Sequence, residues 1–254
     1  MSIDSDRNGL APPVIGRDSA LFLDADGTLL EIAETPTAVV CPIVTQRLLQ
    51  DLFAALDGAV AIVSGRPITD IDRIFGLPAL PVAGLHGLEW RNGTGVVVAS
   101  RDLPPMTSLK DRIACFADSR EGVMVEDKGG TIAVHFRQEP SAADEVQVFL
   151  AGLVADRDDL ELLSGKMVVE LKPSGIDKGH AIERFMSAAP FADRRPVFAG
   201  DDVTDETGFA VVNRLGGLSV HVGDGAGTAA RYRQEAVSAL HRWLRDSLES
   251  LDPK

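Results

Sequence analysis

The chain has 254 residues, of which 45% are hydrophobic and 25% are charged, so we expect one or two globular domains and exclude a long disordered chain. Two cysteines are too few for a disulfide framework, no apolar run reaches the ~18 residues of a membrane span, and the acidic start lacks the features of a secretory signal. With 25 basic and 38 acidic residues the net charge is −13, which opposes binding to nucleic acids and anionic membranes. We therefore predict a soluble cytoplasmic protein that binds neither nucleic acid nor membrane.

The first part of the chain alternates short apolar strands with amphipathic helices. The periodicity predicts strands over 19–24, 59–63 and 81–84, helices over 43–56 and 67–75, and a β-hairpin over 88–99. The same alternation returns near the C-terminus, with helices over 178–186, 205–213 and 236–248 and strands over 196–200 and 218–222. Buried strands joined by helices form parallel sheets, so we predict an α/β core with a doubly wound, Rossmann-like sheet.

Residues 104–173 follow another pattern, in the order α-β-β-α-β-β. Helices are predicted over 106–118 and 144–154, and strands over 123–126, 131–136, 160–163 and 167–171. Short turns join these strands in pairs, and such hairpins make antiparallel sheet. We predict an inserted α+β domain at 104–173, between Pro104-Pro105 and Pro173-Ser174-Gly175, within a core of 19–103 and 174–254. The sequence assigns no structure to the N-terminal segment, 1–18.

Two carboxylates follow the first predicted strand, in the motif Asp24-Ala25-Asp26-Gly27-Thr28. Ligands of open α/β sheets bind at the carboxyl ends of the strands. There, Asp24 can attack as a nucleophile and Asp26 can donate a proton to a leaving oxygen. Taken alone, the motif is equally typical of an acidic turn, because aspartate and glycine are ordinary turn residues.

A second acidic cluster, Gly200-Asp201-Asp202-Val203-Thr204-Asp205-Glu206, follows a later strand. Crowded carboxylates repel one another unless a cation neutralises them, and Mg²⁺ prefers such oxygen ligands. The alternative is an acidic helix start, since Asp and Glu favour helix N-termini. Asp205 and Glu206 fit that alternative better than Asp201 and Asp202, which precede the helix.

Two further groups could bind an anion. Ser64, in Ser64-Gly65-Arg66 after the second strand, offers a hydroxyl and free backbone N–H groups to a phosphoryl oxygen. Lys178 begins a predicted helix, where its charge opposes the helix dipole, and a bound anion would account for it. A common Ser-Gly turn and a solvated surface lysine are the alternatives.

Taken together and in this order, these motifs resemble the four motifs of the haloacid-dehalogenase (HAD) superfamily, from about Ala20 to Trp243. The insert lies where that superfamily places its C2-type cap. Further short motifs resemble the trehalose-6-phosphate phosphatase family: Ser64-Gly65-Arg66, Gly84-Leu85-His86-Gly87-Leu88-Glu89, Glu126-Asp127-Lys128, His135-Phe136-Arg137 and Glu170-Leu171-Lys172-Pro173.

The resemblance implies a phosphatase that acts on a small-molecule sugar phosphate through an aspartyl-phosphate on Asp24. It implies that Mg²⁺ is bound by the Asp24 carboxylate, the Asp26 backbone carbonyl and Asp201. Further implied roles are proton transfer by Asp26, neutralisation of phosphoryl oxygens by Ser64 and Lys178, and orientation of water ligands or Lys178 by Asp202 and Asp205. Substrate-binding residues implied in the cap and core are Glu126, Lys128, Arg137, Glu170 and Arg66, with His86 as a further candidate.

Three alternatives remain open from the sequence. The first is another sugar-phosphate phosphatase of the same core and cap type, acting on sucrose-phosphate or mannosyl-phosphoglycerate. The second is a receiver-like phosphoacceptor domain, which needs neither Asp26 nor the insert. The third is a catalytically silent sugar-binding module, which needs no such cluster of charged residues as Asp24, Asp26, Lys178 and Asp201. The oligomeric state is left open, and the sequence is compatible with a monomer.

Overall fold

The computed structural model describes residues 10–33, 35, 38–93, 95, 98–99, 106–165, 167–225 and 227–251. The chain divides into two compact units, one made of Met1–Val98 with Asp177–Lys254 and the other of Ala99–Ile176. Within the described ranges, no helix is both long and apolar enough to span a membrane.

The first unit contains a sheet with the strand order β12-β11-β10-β1-β2-β3-β4-β5. The six strands from β12 to β3 in this order are parallel, and β4 is antiparallel to β3. The strands are β1 (Ser19–Leu23), β2 (Val60–Val63), β3 (Val82–Gly84), β4 (Glu89–Arg91), β5 (Val98–Ala99), β10 (Arg195–Gly200), β11 (Leu218–Val222) and β12 (Tyr232–Gln234).

The described part of the same unit has five α-helices: α1 (Ile43–Ala55), α2 (Ile68–Phe75), α5 (Lys178–Met186), α6 (Glu206–Arg214) and α7 (Val237–Leu251). The apolar residues of α2 recur at helical spacing and are buried, namely Ile68, Ile71, Ile74 and Phe75. Pro67 precedes this helix, and Gly76 ends it in a left-handed conformation. Helix period and end signals together therefore account for the limits of α2.

The core of the first unit lies around its central strands. Every residue of β1, β2 and β11 is buried, as expected for parallel strands covered on both faces. Phe22, Phe185 and Phe191 pack with ring centroids 4.9–5.9 Å apart between the sheet and α5. This packing holds the central strands, and hence the residues that follow them, in fixed positions.

The second unit has the order α3 (Thr107–Asp118), β6 (Met124–Asp127), β7 (Ile132–His135), α4 (Ala143–Val154), β8 (Leu160–Gly165) and β9 (Val168–Pro173). Its antiparallel sheet has the strand order β6-β7-β9-β8. Residues from both helices and the sheet, including Ile113, Val134, Val146 and Leu171, form one hydrophobic core. The predicted α-β-β-α-β-β order and the α/β class of the first unit are confirmed.

Two features of the first unit were not predicted. Strand β12 has only three residues and no apolar run, so its sequence gives no strand signal. The segment from Leu10 to Asp18 packs against the C-terminal helix: Ile15 is buried, its N–H donates to Ser247, and Trp243 donates to the Pro13 carbonyl.

Two predictions fall wholly or partly outside the described residues. The linker at Pro104-Pro105 lies outside them, as do positions 94, 96 and 97 of the predicted hairpin. The boundaries 104 and 173 of the insert stay predictions.

Candidate functional site

Three neighbouring parallel strands bring the predicted catalytic residues to one edge of the sheet. In the register of β1 with its neighbours, Leu23 lies beside Ile62 of β2 and Ala199 of β10. Asp24 directly follows β1, Ser64 follows β2, and Asp201 follows β10. The carboxyl ends of these strands therefore place residues from three distant parts of the chain side by side.

Lys178 links two of these acids. Its Nζ donates to Asp24 Oδ1 and to Asp205 Oδ1, both at 2.7 Å, and all three side chains are buried. The lysine is the first residue of α5, whose N-cap is Asp177. A buried ammonium between two carboxylates has its charge compensated, which explains the unfavourable position at a helix start.

Both oxygens of Asp205 accept hydrogen bonds. Its Oδ1 accepts from Lys178, and its Oδ2 accepts from the backbone N–H groups of Asp201 and Asp202 at 3.0 Å. A side chain on Gly200 would lie 2.3 Å from Asp205 Cγ, so only glycine fits at that position. Asp202 is half-buried, and its carboxylate accepts from the Val203 N–H.

Asp201 is held by the motif that follows the first strand. Thr28 is buried and its hydroxyl donates to Asp201 Oδ1 at 3.1 Å. Gly27 has a φ of 82°, and a Cβ there would lie 2.1 Å from Asp201 Oδ2. Left-handed conformation and close approach both require glycine at this position.

The acids form a cluster that could hold a divalent cation. One carboxylate oxygen from each of Asp24, Asp201 and Asp205 lies within 4.8 Å of the others. Such hard oxygen ligands suit Mg²⁺. Because both oxygens of Asp205 already accept hydrogen bonds, Asp24 and Asp201 are the better ligands in this set.

Burial and the mutual repulsion of its carboxylates dominate the electrostatics of this cluster. Burial, together with Asp205 and Asp201, raises the pKa of Asp24 well above its ordinary value, although Lys178 acts against this. Burial and Asp205 raise the pKa of Asp201 to about 7. Burial also opposes the charge on Lys178, but Asp205 and Asp24 outweigh it and raise the lysine pKa. A cation would favour the ionised carboxylates and reverse the first two shifts.

Asp26 is paired with Arg66. Arg66 Nε lies 2.5 Å from Asp26 Oδ2, and Arg66 Nη2 lies 2.8 Å from Asp26 Oδ1, so the contact is bidentate. The Arg66 backbone N–H also donates to the hydroxyl of the buried Ser64 at 3.2 Å. Arg66, which was predicted to bind substrate, thus forms an ion pair with Asp26 in the structure.

A tight turn lies behind Arg66. Leu85 and His86 have φ values of 48° and 59°, which non-glycine residues rarely adopt. Their N–H groups donate to the carbonyls of Arg66 and Ser64 at 3.0 and 2.9 Å. Glu89 accepts from the Ile68 N–H at 2.6 Å and so caps α2. Conformations of this kind persist where surrounding contacts hold them in place.

One face of the sheet in the second unit carries charged residues. Glu126 of β6 pairs with Ala133 of β7, which pairs with Glu170 of β9, so their side chains share a face. Lys128 Nζ lies 3.1 Å from Glu170 Oε2, and the Thr131 hydroxyl donates to the other oxygen.

His135 lies near this face, and the predicted Arg137 lies beyond it. His135 Nε2 lies 2.9 Å from Glu126 Oε2, and this hydrogen bond outweighs partial burial and lowers the pKa of Glu126. Arg137 is exposed, two residues beyond the end of β7. The structure thus brings Glu126, Lys128 and Glu170 together, and gives Arg137 an exposed position.

Four contacting residues had no role assigned from the sequence alone: Thr28, Glu89, Thr131 and His135. Thr28 is the last residue of the motif that begins at Asp24, and its place after Gly27 could have indicated a structural hydroxyl. Glu89 and Thr131 pair with residues distant in the chain, so no local pattern reveals their partners. His135 pairs with Glu126 on the adjacent strand β6, and only the register of the two strands shows this contact.

The chain is similar to known proteins over most of its length. A profile of the trehalose-phosphatase family matches residues 22–238. A trehalose-6-phosphate phosphatase of Escherichia coli is 41% identical over 249 residues, covering 95% of this chain and 91% of that protein. A Sinorhizobium fredii protein named "Probable trehalose-phosphate phosphatase" is 42% identical over 205 residues, covering 80% of this chain and 77% of that protein.

Solved structures share the fold. The C-terminal domain of a Candida albicans trehalose-6-phosphate phosphatase superposes with a TM-score of 0.81 at 21% identity, covering 93% of this chain and 98% of that one. A haloacid dehalogenase-like hydrolase of Bacteroides thetaiotaomicron gives a TM-score of 0.65 at 14% identity, with coverages of 89% and 98%. These likenesses confirm the predicted HAD-type fold. With the family profile and relatives at 41% and 42% identity, they show that this chain belongs to the trehalose-phosphatase family.

Proposed function

We propose that the protein hydrolyses trehalose 6-phosphate to trehalose and phosphate, through an aspartyl-phosphate on Asp24. The observation that carries this proposal is Lys178 bridging Asp24 and Asp205 beside Asp201, at the edge where β1 and β10 end. This arrangement presents a carboxylate and a fixed positive charge to an incoming phosphoryl group, and the trehalose-phosphatase family supplies the substrate class.

We assign each residue of the site a separate role in this reaction. Asp24 attacks the phosphorus, while Lys178 and Ser64 offset the charge on the phosphoryl oxygens. Asp26 gives a proton to the sugar oxygen as the P–O bond breaks, and then takes one from the water that cleaves the aspartyl-phosphate. Asp205 orients Lys178, and Asp202 holds the turn after β10.

The residues present fit a magnesium ion. The buried Asp24 and the half-buried Asp201 both have raised pKa values, so a cation that displaces their protons would be favoured there. We propose Asp24, the backbone carbonyl of Asp26 and Asp201 as its ligands. Bound Mg²⁺ offsets the repulsion between the Asp24 carboxylate and a phosphate dianion.

We propose that the charged face of the second unit binds the sugar. A disaccharide presents hydroxyl groups, which charged donors and acceptors recognise directionally. Glu126 and Glu170 supply acceptors on either side of the small Ala133, and Lys128 supplies a donor. Arg137 is the remaining proposed substrate residue of this unit, and 104–173 is the proposed cap. Every residue proposed above belongs to one chain, so we propose that a monomer is sufficient for activity. We also propose a cytoplasmic location.

The decisive experiment is phosphate release across a panel of sugar phosphates, with Mg²⁺ and after chelation. We expect repeated turnover of trehalose 6-phosphate that chelation stops and Mg²⁺ restores. Preference for sucrose-phosphate or mannosyl-phosphoglycerate would replace the proposed substrate. Release of a single equivalent would indicate a phosphoacceptor domain, and no release at all would indicate a silent module.

Glu170→Gln tests the sugar-binding face. The change keeps the size of the side chain but removes the charge, and a hydrogen bond to a charged group contributes about 1.5–3 kcal/mol. We expect kcat/KM for trehalose 6-phosphate to fall by roughly 10- to 100-fold, with little change for 4-nitrophenyl phosphate. Glu145→Gln, on the exposed side of α4, is the matched control. Equal losses on both substrates would show that Glu170 does not bind sugar.

A further inference from the structure

We propose that Arg66 is a positioning residue that fixes the carboxyl group of Asp26 for proton transfer to the leaving oxygen. This inference rests on the proposed function, because it assigns a partner to the proton donor of that reaction. It replaces direct sugar binding as the main role of Arg66. The contacts that support it all lie within the first unit.

The geometry of the pair is that of a guanidinium clamp. Two nitrogens of Arg66 meet the two oxygens of Asp26 at 2.5 and 2.8 Å, which fixes the plane of the carboxyl group. The Arg66 side chain is 11% exposed and the Asp26 side chain 34%, so the arginine is the buried and anchored partner. A second carboxylate, that of Asp70 in the first turn of α2, lies 3.8 Å from Arg66.

The backbone of Arg66 is held as firmly as its side chain. Its N–H donates to Ser64 Oγ, and its carbonyl accepts from Leu85. A side chain on Gly65 would lie 2.8 Å from the His86 ring, so the chain before Arg66 packs closely against that ring. Glu89 fixes the chain after it through Ile68. The strained turn at Leu85 and His86 thus supports the one residue that clamps Asp26.

The clamp leaves Asp26 able to react. A carboxylate has about four lone-pair sites, and the two contacts with Arg66 use two of them. The remaining sites can carry the proton that moves from Asp26 to the sugar oxygen when the P–O bond breaks. Correct orientation of a proton donor lowers the barrier only where the leaving group needs the proton.

Substrates whose leaving groups differ in their need for a proton therefore distinguish positioning of Asp26 from a purely structural role of Arg66. We would measure kcat/KM of Arg66→Met and Arg66→Lys for trehalose 6-phosphate, for glycerol 2-phosphate and for 4-nitrophenyl phosphate. The second is a sugar-free alkyl phosphate, and the third releases an anion that needs no proton. We use kcat/KM because it reports steps up to formation of the aspartyl-phosphate, before Asp26 acts on water.

For Arg66→Met, we expect a fall of about 10²-fold on both alkyl phosphates and less than about threefold on the aryl phosphate. Arg66→Lys should recover only part of the loss, because a point charge cannot hold both oxygens of Asp26. Arg73→Met is the matched control, since Arg73 also lies near Asp70 but is on α2 with its side chain about half exposed. It should change all three values by less than about twofold.

Two results would overturn the inference. Equal losses on all three substrates would show that Arg66 only maintains the fold, and a loss confined to trehalose 6-phosphate would show that it contacts the sugar. Arg66→Lys gives the same discrimination if Arg66→Met does not fold. Asp24→Asn separates this inference from the proposed function: an active Asp24→Asn removes both, whereas an inactive one leaves the Arg66 result decisive by itself.

Discussion

Asp24→Asn is expected to abolish turnover of trehalose 6-phosphate, with a loss on the order of 10⁴-fold or more. The amide has a similar shape but cannot attack phosphorus, and it provides a weaker ligand for a cation. Burial already raises the pKa of Asp24, so loss of its charge should leave the fold intact. Phosphate release and thermal unfolding, measured on the same sample, check both parts of this prediction.

Asp51→Asn is the matched control for that variant. Asp51 lies exposed on α1, and its replacement removes the same charge far from the end of β1. We expect Asp51→Asn to retain activity. Full turnover by Asp24→Asn would instead eliminate Asp24 as the nucleophile, and with it the reaction proposed above.

Lys178→Met should have the second largest effect, and it should act on stability as well as activity. Removing the ammonium leaves Asp24 and Asp205 buried without their cationic partner, which costs about 3–5 kcal/mol. The phosphoryl oxygens also lose their neutralising charge, so we expect kcat/KM to fall about 10³-fold. Denaturant unfolding and phosphate release measure the two losses separately.

A double variant separates the loss of stability from the loss of activity. In Lys178→Met with Asp205→Asn, one buried charge is removed along with its partner, and the asparagine carbonyl can still accept from the backbone of Asp201 and Asp202. We expect part of the stability to return while activity stays low. If activity returned together with stability, Lys178 would be a structural lysine only.

The strand ends could be predicted from sequence because the signal is local. A short apolar run followed by Asp24, or by Asp201, indicates a buried strand and the loop that follows it. Parallel strands place such loops at one edge, so the meeting of Asp24, Ser64 and Asp201 follows from topology. Lys178 gave a different kind of signal, since its position at a helix start was electrostatically unfavourable.

Pairings between side chains could not be predicted in this way. The Asp26–Arg66 clamp depends on the direction in which each loop leaves its strand, and the turn at Leu85 and His86 helps to set that direction. Thr28 and Asp201 meet for the same reason, since Gly27 allows their two loops to touch. Such contacts are settled by tertiary packing, which overrides local propensity.

The pairing of β1 with β10 has a consequence for synthesis on the ribosome. These strands lie next to each other in the sheet, yet the whole second unit separates them along the chain. A nascent chain that has emerged only as far as that unit contains Asp24 and Asp26 but not Lys178, Asp201 or Asp205. The phosphatase centre is therefore assembled late, after most of the polypeptide has been translated, and fragments released early would be inert.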